Sequence, residues 1–199
     1  MPSTLGVPDR AALLILHLQP PLTDIPGADK MVARVAQAVS AARKSGVEVM
    51  YVSIGYRPGY PEIGSDDPAR PGLLSRGTLI AGVNNDVHAS LAPQEDDVQF
   101  TNPRCNAFSG SDLESILRLK DINHLVLSGI ATSGAVLGTL TDANDRNYRI
   151  TVLSDGVMDF EQDIHDAMLK VFVKPPRRAR LVTIEDWITE ITEFAGHSV

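Results

Sequence analysis

Short, largely apolar runs alternate along this chain with segments whose apolar residues recur at helical spacing. Residues 11–18 read AALLILHL and residues 47–54 read VEVMYVSI, while the apolar positions of residues 28–45 recur at intervals of three and four. A nearly continuous apolar run is typical of a strand in a parallel sheet that has helices on both faces. The beginning of the chain therefore predicts a strand, a helix and a second strand that together form a βαβ unit.

The same alternation returns after a long irregular stretch that begins at Gly55 and is rich in glycine and proline, as expected of a working loop or lid. The later predicted strands are residues 97–100, 124–128, 148–153 and 179–183. The later predicted helices are residues 112–119, 132–147, 162–172 and 184–194. Six strands that alternate with helices predict an α/β fold with three layers, in which a Rossmann-like, mostly parallel six-stranded sheet has helices on both faces. We expect residues 1–199 to form a single domain.

The net charge argues against several classes of partner. Lys and Arg number 18, and Asp and Glu number 25, which leaves a formal charge of −7 at pH 7. Binding to nucleic acid or to an anionic membrane relies on a positive surface, so neither is expected. No apolar run approaches the roughly 18 residues that cross a bilayer, and the opening MPSTLGVPDR contains no basic leader. We therefore expect a cytoplasmic protein.

Several familiar cofactor and metal motifs are missing from the sequence. The segment SGIATSG has neither the GxGxxG spacing nor the lysine of a phosphate-binding loop, no GxSxG occurs, and no two histidines fall at HxxxH spacing. Cys105 is the only cysteine, which excludes an intrachain disulfide and a conventional zinc cage. Asp155, Asp159 and Asp163 are interpreted as a solvated approach to a helix rather than as a cation site. We expect neither a metal nor a cofactor.

The predicted topology directs attention to the residues that follow the strands. In open parallel sheets, ligands bind outside the carboxyl ends of the strands, at the point where the strand order reverses. These ends are residues 17–19, the stretch after Gly55, residues 101–108 and residues 129–135. The last of them opens a helix, and the N–H groups of residues 134–136 are candidates to hold an anion.

The segment of residues 104–156 carries three motifs in order, NAFSGSDL, VLSGIAT and DANDRNYRI. Their layout resembles that of the isochorismatase-like hydrolases, also called cysteine hydrolases, and the resemblance extends from Ala11 to about Trp187. It implies an α/β fold and, for active members, hydrolysis of a small organic substrate. It also implies a non-proline cis peptide near Ile130 and Ala131.

The resemblance further implies a catalytic triad. In this family an Asp at the end of the first strand deprotonates a Cys at the start of the helix after the fourth strand, and a Lys assists. The matching positions here are His17, Ala135 and Asn102 respectively, so none holds the family residue. Loss of a nucleophile costs about a millionfold in kcat in a serine protease. Acyl transfer through a cysteine is therefore not expected.

Other groups remain as candidates for chemistry at this site. His17 titrates near neutral pH and is the leading candidate for an acid/base, the alternative being a histidine hydrogen-bonded in the core. Arg104 either supplies the missing positive charge or forms a structural salt bridge, and Cys105 is expected to be a buried structural thiol. Tyr60 is a further candidate for the pocket wall, the alternative being plain loop packing. The residues expected to contact substrate are Gln19, Tyr56, Arg104, Phe108, Ala131, Thr132, Ser133 and Gly134.

Three functions stay open on the sequence. The first is an enzyme that kept the fold and uses His17 for hydrolase, lyase or isomerase chemistry on a small metabolite. The second is a non-catalytic member that binds a metabolite or serves as a subunit of an assembly. The third is a residual isochorismatase-type hydrolase that works by an altered route. In each case we expect a small-molecule ligand and a homo-oligomer, either a dimer or a tetramer.

Overall fold

The computed structural model describes residues 10–176 and 178–196, and the opening segment in which no leader was found lies almost entirely outside them. The described chain forms one sheet, and every pair of neighbouring strands in it is parallel. The spatial order of the strands is β3-β2-β1-β4-β5-β6. The strands are β1 (Ala11–Leu16), β2 (Glu48–Ile54), β3 (Val98–Asn102), β4 (His124–Ile130), β5 (Arg149–Met158) and β6 (Arg180–Val182). The predicted α/β fold is confirmed, with a sheet that is entirely parallel.

The helices follow the strands in the order that the sequence predicts, with one addition. They are α1 (Ala28–Lys44), α2 (Arg70–Arg76), α3 (Leu113–Leu119), α4 (Leu137–Asp145), α5 (Gln162–Phe172) and α6 (Ile184–Gly196). The short helix α2 lies inside the stretch that was predicted to be irregular. The helix expected from residue 132 begins as a π-helical turn, Thr132–Val136, which leads directly into α4. A 3-10 turn, Ala89–Leu91, precedes β3.

Alternate side chains of β1 belong to two different cores. Leu14 and Leu16 join the apolar cluster that contains residues of α3, α4 and α5, whereas Leu13 and Ile15 join the cluster that contains residues of α1 and α6. A strand presents successive side chains to opposite faces, so this division shows that helices cover both faces of the sheet. The continuous apolar run in the sequence is explained by this double burial.

Strands β1 and β4 lie at the centre of the sheet, where the order of connections reverses. The chain leaves β1 toward β2 and later returns to place β4 on the other side of β1, and Leu16 is paired with Gly129. The helices that follow β1 and β4, α1 and α4, pack on opposite faces. A crevice is expected outside the carboxyl ends of these two strands. His17 and the turn Thr132–Val136 lie at this crevice.

One prediction concerns the close approach of β1 to β4 at Gly129. The φ angle of Gly129 is 138°, and a Cβ atom built there lies 2.0 Å from the carbonyl oxygen of Leu16. We expect Gly129→Ala to lower the free energy of unfolding by about 3 kcal/mol or more, because backbone atoms must move apart. Urea unfolding monitored by circular dichroism measures this loss.

Gly46→Ala is the matched control for this substitution. Gly46 also has a positive φ, 70°, but no atom lies within 4 Å of a Cβ built there. It should therefore cost only about 1 kcal/mol, the backbone penalty alone. Equal losses at the two glycines would show that contact with Leu16 is unimportant.

Candidate functional site

N–H groups of the turn that opens α4 donate hydrogen bonds within the turn itself. The Ile130–Ala131 peptide is cis, as the resemblance implied. The N–H groups of Gly134 and Val136 both donate to the carbonyl oxygen of Ala131, at 3.1 and 3.2 Å. The expectation that residues 134–136 offer free donors to an anion is therefore wrong for these two residues, because a carbonyl of the same turn accepts both.

A carboxylate of the protein already occupies the start of this turn. Asp159 accepts hydrogen bonds from the N–H of Ser133 at 2.7 Å and from the N–H of Phe160 at 2.8 Å. A negative charge at this position is favoured by the peptide dipoles of the helix. Asp155 likewise accepts from the N–H of Ile184 at 2.7 Å, at the start of α6. Asp155 and Asp159 thus cap the starts of helical segments rather than only facing solvent, whereas Asp163 is exposed, as the interpretation of a solvated helix approach expected.

Helix α5 contributes a polar group that sequence reasoning missed. Thr132 is fully buried, and its Oγ1 lies 2.9 Å from Nδ1 of His165. The two residues are 33 positions apart, and neither falls in a motif that links them. Asp159 and His165 thus join Thr132 and Ser133 in one polar cluster at the start of the π-helical turn. Only the tertiary structure brings this cluster together.

His17 lies at the end of β1 in a sealed environment. The residue is 3% exposed, and its Nε2 is buried without a hydrogen-bond partner among the residues that the structure describes. Its backbone has a φ of 54°, and its N–H donates to the carbonyl of Val52 at 2.8 Å. Desolvation lowers the pKa of the imidazole from 6.5 to about 4. His17 is therefore neutral at neutral pH.

Gln19 is held entirely by backbone groups. Its Nε2 donates to the carbonyl of Ile54 at 2.9 Å and to that of Asn85 at 3.3 Å, while its Oε1 accepts from the N–H of Ile54 at 2.7 Å. The side chain is fully buried. Gln19 thus ties the end of β1 to the end of β2 and to the following loop, and its side-chain amide already has protein partners on both atoms.

Asn102, at the end of β3, is likewise held by hydrogen bonds to backbone groups. Its Nδ2 donates to the carbonyls of Asn106 and Ala107, both at 3.3 Å, and its Oδ1 accepts from the N–H of Arg104 at 3.0 Å. The residue is fully buried. An amide carries no charge, so Asn102 cannot replace a lysine ammonium, and its hydrogen bonds hold the turn after β3.

The residues after Asn102 differ from their expected environments. Arg104 is exposed and donates to the carbonyls of Glu62 at 3.2 Å and Pro103 at 2.9 Å. Among the described residues it forms no salt bridge, and its role as a positive charge at the site stays a prediction. Cys105 is exposed, which corrects the expectation of a buried thiol. Desolvation nevertheless raises the pKa of this thiol, against the opposing charge of Arg104. The thiol is therefore protonated at neutral pH and is a weak nucleophile.

The aromatic candidates fall into two separate groups. Tyr56 and Tyr60 are buried in the loop after β2, with ring centroids 5.7 Å apart. The ring of Phe108 instead lies 6.0 Å from that of Tyr148 and 4.8 Å from the guanidinium of Arg146, beyond the C-terminal end of α4. The ring of Phe108 thus packs beside the C-terminal end of α4, in the same core cluster as Ala135 and Val136 of the turn.

Two cavities of the described chain lie away from the three triad-equivalent positions. One, of about 370 Å³, lies between α1 and the turn Ala89–Leu91, and another, of about 390 Å³, lies between α5 and β6. Neither is lined by His17, Asn102 or Ala135, and Ala135 is 1% exposed.

Within the described residues no group of three or more His, Cys, Asp or Glu side chains is arranged to hold a metal ion. None of the described helices is long and apolar enough to cross a membrane.

Comparison with known proteins identifies the family. Residues 11–186 match the Isochorismatase domain, and the chain therefore belongs to the isochorismatase family. The ureidoacrylate amidohydrolase of Caulobacter vibrioides strain CB 15 is 31% identical over 188 residues, which cover 87% of this chain and 79% of that protein. The ureidoacrylate amidohydrolase of Stutzerimonas stutzeri is 34% identical over 186 residues, covering 86% and 71% respectively.

Solved structures agree with this assignment. An isochorismatase family protein from Burkholderia thailandensis has a TM-score of 0.78 and 26% identity, over 94% of this chain and 97% of that chain. A cysteine hydrolase from Pseudomonas syringae pv. phaseolicola has a TM-score of 0.82 at 23% identity, covering 94% and 93%. At 23% identity, the likeness to the Pseudomonas syringae protein shows a shared fold. The family recognised from the motifs is confirmed.

A second prediction follows from the burial of His17. The unfolded chain binds a proton at this histidine near pH 6.5, whereas the folded chain binds it only near pH 4. Between these values the unfolded state holds more protons, so the free energy of unfolding should fall as the pH falls from 6.5 to 4. The contribution of His17 to this fall is about 3 kcal/mol, and it is complete below pH 4.

The contribution is measured by comparing wild type with His17→Asn. Asparagine tolerates a positive φ and does not titrate. The two proteins share all other titrating groups, so the difference between their urea-unfolding profiles isolates His17. The wild type should lose more stability than the variant across this window. Parallel profiles would mean that the imidazole is not desolvated in the folded protein.

Proposed function

We propose that this chain is a non-catalytic member of the isochorismatase family, which acts through association rather than turnover. The observation that carries the proposal is the buried imidazole of His17, 3% exposed and with its Nε2 unpartnered among the described residues, at the strand end where the resemblance implies a proton-accepting Asp. A general acid or base must reach the proton that it transfers and must have a pKa near the working pH. His17, with a pKa of about 4 and 3% exposure, meets neither requirement.

The two other triad positions support the same proposal. Ala135 has no nucleophilic atom, and the amide of Asn102 is engaged by the turn after β3. Cys105 does not compensate, because the pKa of its thiol is raised. The family's nucleophile and its lysine charge are thus missing, and the proton-accepting position holds a buried imidazole with a lowered pKa. A fold and its chemistry separate readily when site residues change.

Three N–H groups at the start of α4 that could stabilise a reacting oxygen, those of Ser133, Gly134 and Val136, are engaged within the protein. An oxyanion site needs N–H groups aimed at the position where negative charge develops. Here Asp159 accepts from the N–H of Ser133, and the Ala131 carbonyl accepts from those of Gly134 and Val136. A substrate oxygen would have to displace a carboxylate that the helix dipole stabilises. The start of α4 is therefore better suited to holding the fold together than to holding a reaction intermediate.

A hydrolase that uses Thr132 and His165 is the second candidate function. The observation in its favour is the 2.9 Å separation of the Thr132 hydroxyl and the His165 imidazole, since a hydroxyl next to a base is the arrangement of an activated nucleophile. It ranks second because Thr132 is fully buried, so a substrate reaches its hydroxyl only if the turn opens. Acid/base chemistry through His17 and a residual isochorismatase route rank lower, because both need a reachable group at the end of β1.

Assays on the compounds that related proteins act on test the proposal. The curated relatives are named for the hydrolysis of ureidoacrylate, which makes ureido and simple amide compounds the first substrates to try. We expect the purified chain to release no ammonia from ureidoacrylate, nicotinamide or N-carbamoylsarcosine above the rate without protein. We also expect treatment with iodoacetamide to leave the rate of ammonia release unchanged. Ammonia release is followed by a coupled glutamate dehydrogenase assay.

Three variants identify the source of any activity that does appear. Release that is lost in Thr132→Val and in His165→Gln would replace the proposal with the second candidate. Release that is lost in His17→Asn, with folding intact by circular dichroism, would restore His17 as an acid/base. Release that is lost after alkylation of Cys105 would assign the chemistry to that thiol.

A further inference from the structure

The cavity between α1 and the turn Ala89–Leu91 is lined by basic and hydroxyl groups. Its volume is about 370 Å³, and its polar lining consists of Ser40, Arg43 and Lys44 from α1 with Ser90 and Gln94 from the facing segment. None of the described residues that line it is acidic. Two positive charges, two hydroxyls and an amide thus surround a space of the size that small organic ligands occupy. We call this space the α1 cavity.

Neighbouring groups hold the side chain of Arg43 in place. A single nitrogen, Nη2, donates to the hydroxyl of Tyr51 at 3.2 Å, to the carbonyl of Ala92 at 3.2 Å and to the carboxylate of Asp97. The hydroxyl of Tyr51 in turn donates to the carbonyl of Leu91 at 3.1 Å. The guanidinium is therefore ordered before a ligand arrives, which lowers the entropic cost of binding one.

The other nitrogens of this guanidinium have no partner within the described residues. Nε of Arg43 is buried without a hydrogen-bond partner, and Nη1 donates to none of those residues. Lys44 is exposed and forms no ion pair in the same part of the chain, whereas Asp97 balances the charge of Arg43. The lining of the α1 cavity thus retains one unbalanced positive charge and N–H groups without acceptors, and a carboxylate complements both.

The rest of the lining of the α1 cavity is apolar. Ala36 and Val39 contribute from α1, and Leu91 and Ala92 contribute from the facing segment. Val39 and Leu91 belong to the core cluster between α1 and the sheet, so they are held in a closely packed wall. An apolar wall beside a few polar groups is typical of a site for an organic molecule. A bare inorganic ion would leave this wall uncovered.

We propose that the α1 cavity binds a small organic acid, with its carboxylate on Arg43 and Lys44 and its apolar body against Val39 and Leu91. Neither His17 nor the turn Thr132–Val136 lines this cavity, so the site is separate from the crevice at the ends of β1 and β4. The proposal goes beyond the proposed function, because binding at this cavity requires no group of the crevice and is independent of turnover there.

Binding of benzoate and hexanoate to the purified full chain tests the proposal. Both carry a carboxylate on an apolar body, benzamide has the shape of benzoate without its charge, and inorganic phosphate has charge without an apolar body. Isothermal titration calorimetry should give a dissociation constant of about 1 mM or lower for at least one of the two acids, as expected for ligands of this size. Benzamide and phosphate should each bind at least about tenfold more weakly than that acid.

Charge reversal at the cavity separates a specific site from a general attraction of anions. Lys44→Glu should raise the dissociation constant of the acid at least about tenfold, because it places a carboxylate where the ligand carboxylate binds. Lys30→Glu is the matched control, since it makes the same change at an exposed residue of α1 that does not line the cavity. In about 0.1 M salt, where charges more than about 10 Å apart are largely screened, it should leave the constant within about twofold of wild type.

Ser40→Leu tests the cavity itself rather than its charge. Ser40 is an exposed lining residue, so a leucine there occupies part of the space without disturbing the core, and binding of the acid should be lost. The melting temperatures of the ligand-free variants should stay close to that of wild type, because all three substitutions are at exposed residues.

Two-dimensional NMR locates the bound acid through the shifts of backbone amides. The largest shifts should fall on residues 40–44 and 90–94. Failure of both acids to bind, equal affinity for benzamide, equal effects of Lys44→Glu and Lys30→Glu, or shifts confined to residues around His17 would each overturn the proposal. Ammonia release in the earlier assays would overturn the proposed function alone, so the two proposals can fail separately.

Discussion

The close pairing of β1 with β4 determines the arrangement of the rest of this molecule. The carbonyl oxygen of Leu16 lies only 2.0 Å from the position that a Cβ atom of residue 129 would take, so the two strands approach this closely because position 129 is glycine. From this contact the chain continues into His17 on one strand and into the cis Ile130–Ala131 peptide on the other. Helices then cover both faces, and the crevice of the doubly wound sheet lies at this edge.

Polar side chains around that crevice are hydrogen-bonded to groups of the protein. Gln19 and Asn102 hold the ends of the neighbouring strands through backbone hydrogen bonds, and Asp159 caps the turn that opens α4. Buried polar groups that are fully hydrogen-bonded stabilise one conformation, but they are not free to bind a ligand. His17 is the exception, since its Nε2 is buried without a partner among the described residues and desolvation keeps the ring neutral.

Helix α5 has one side chain that contacts the interior of the molecule and others that face solvent. His165 reaches inward to Thr132 at the start of the π-helical turn, while Asp166 and Lys170 of the same helix are exposed. Helix α5 therefore supports the turn at the crevice and presents charged side chains to solvent.

Local patterns in the sequence determined the order of strands and helices, the family and several boundaries, among them α5 at Gln162–Phe172. Apolar periodicity is a property of residues close together in the chain, so it can be recognised without knowledge of the fold. Strand β5 was predicted to stop at residue 153 but continues to Met158, because its register against β4 shifts between Leu127 and Gly129 and Ser128 donates to the carbonyl of Gly156. The sealing of His17, the capping by Asp159 and the pairing of Thr132 with His165 were decided only by the tertiary structure. Each joins residues far apart in the chain, and burial, which sets the pKa of His17, depends on all the elements that pack around it.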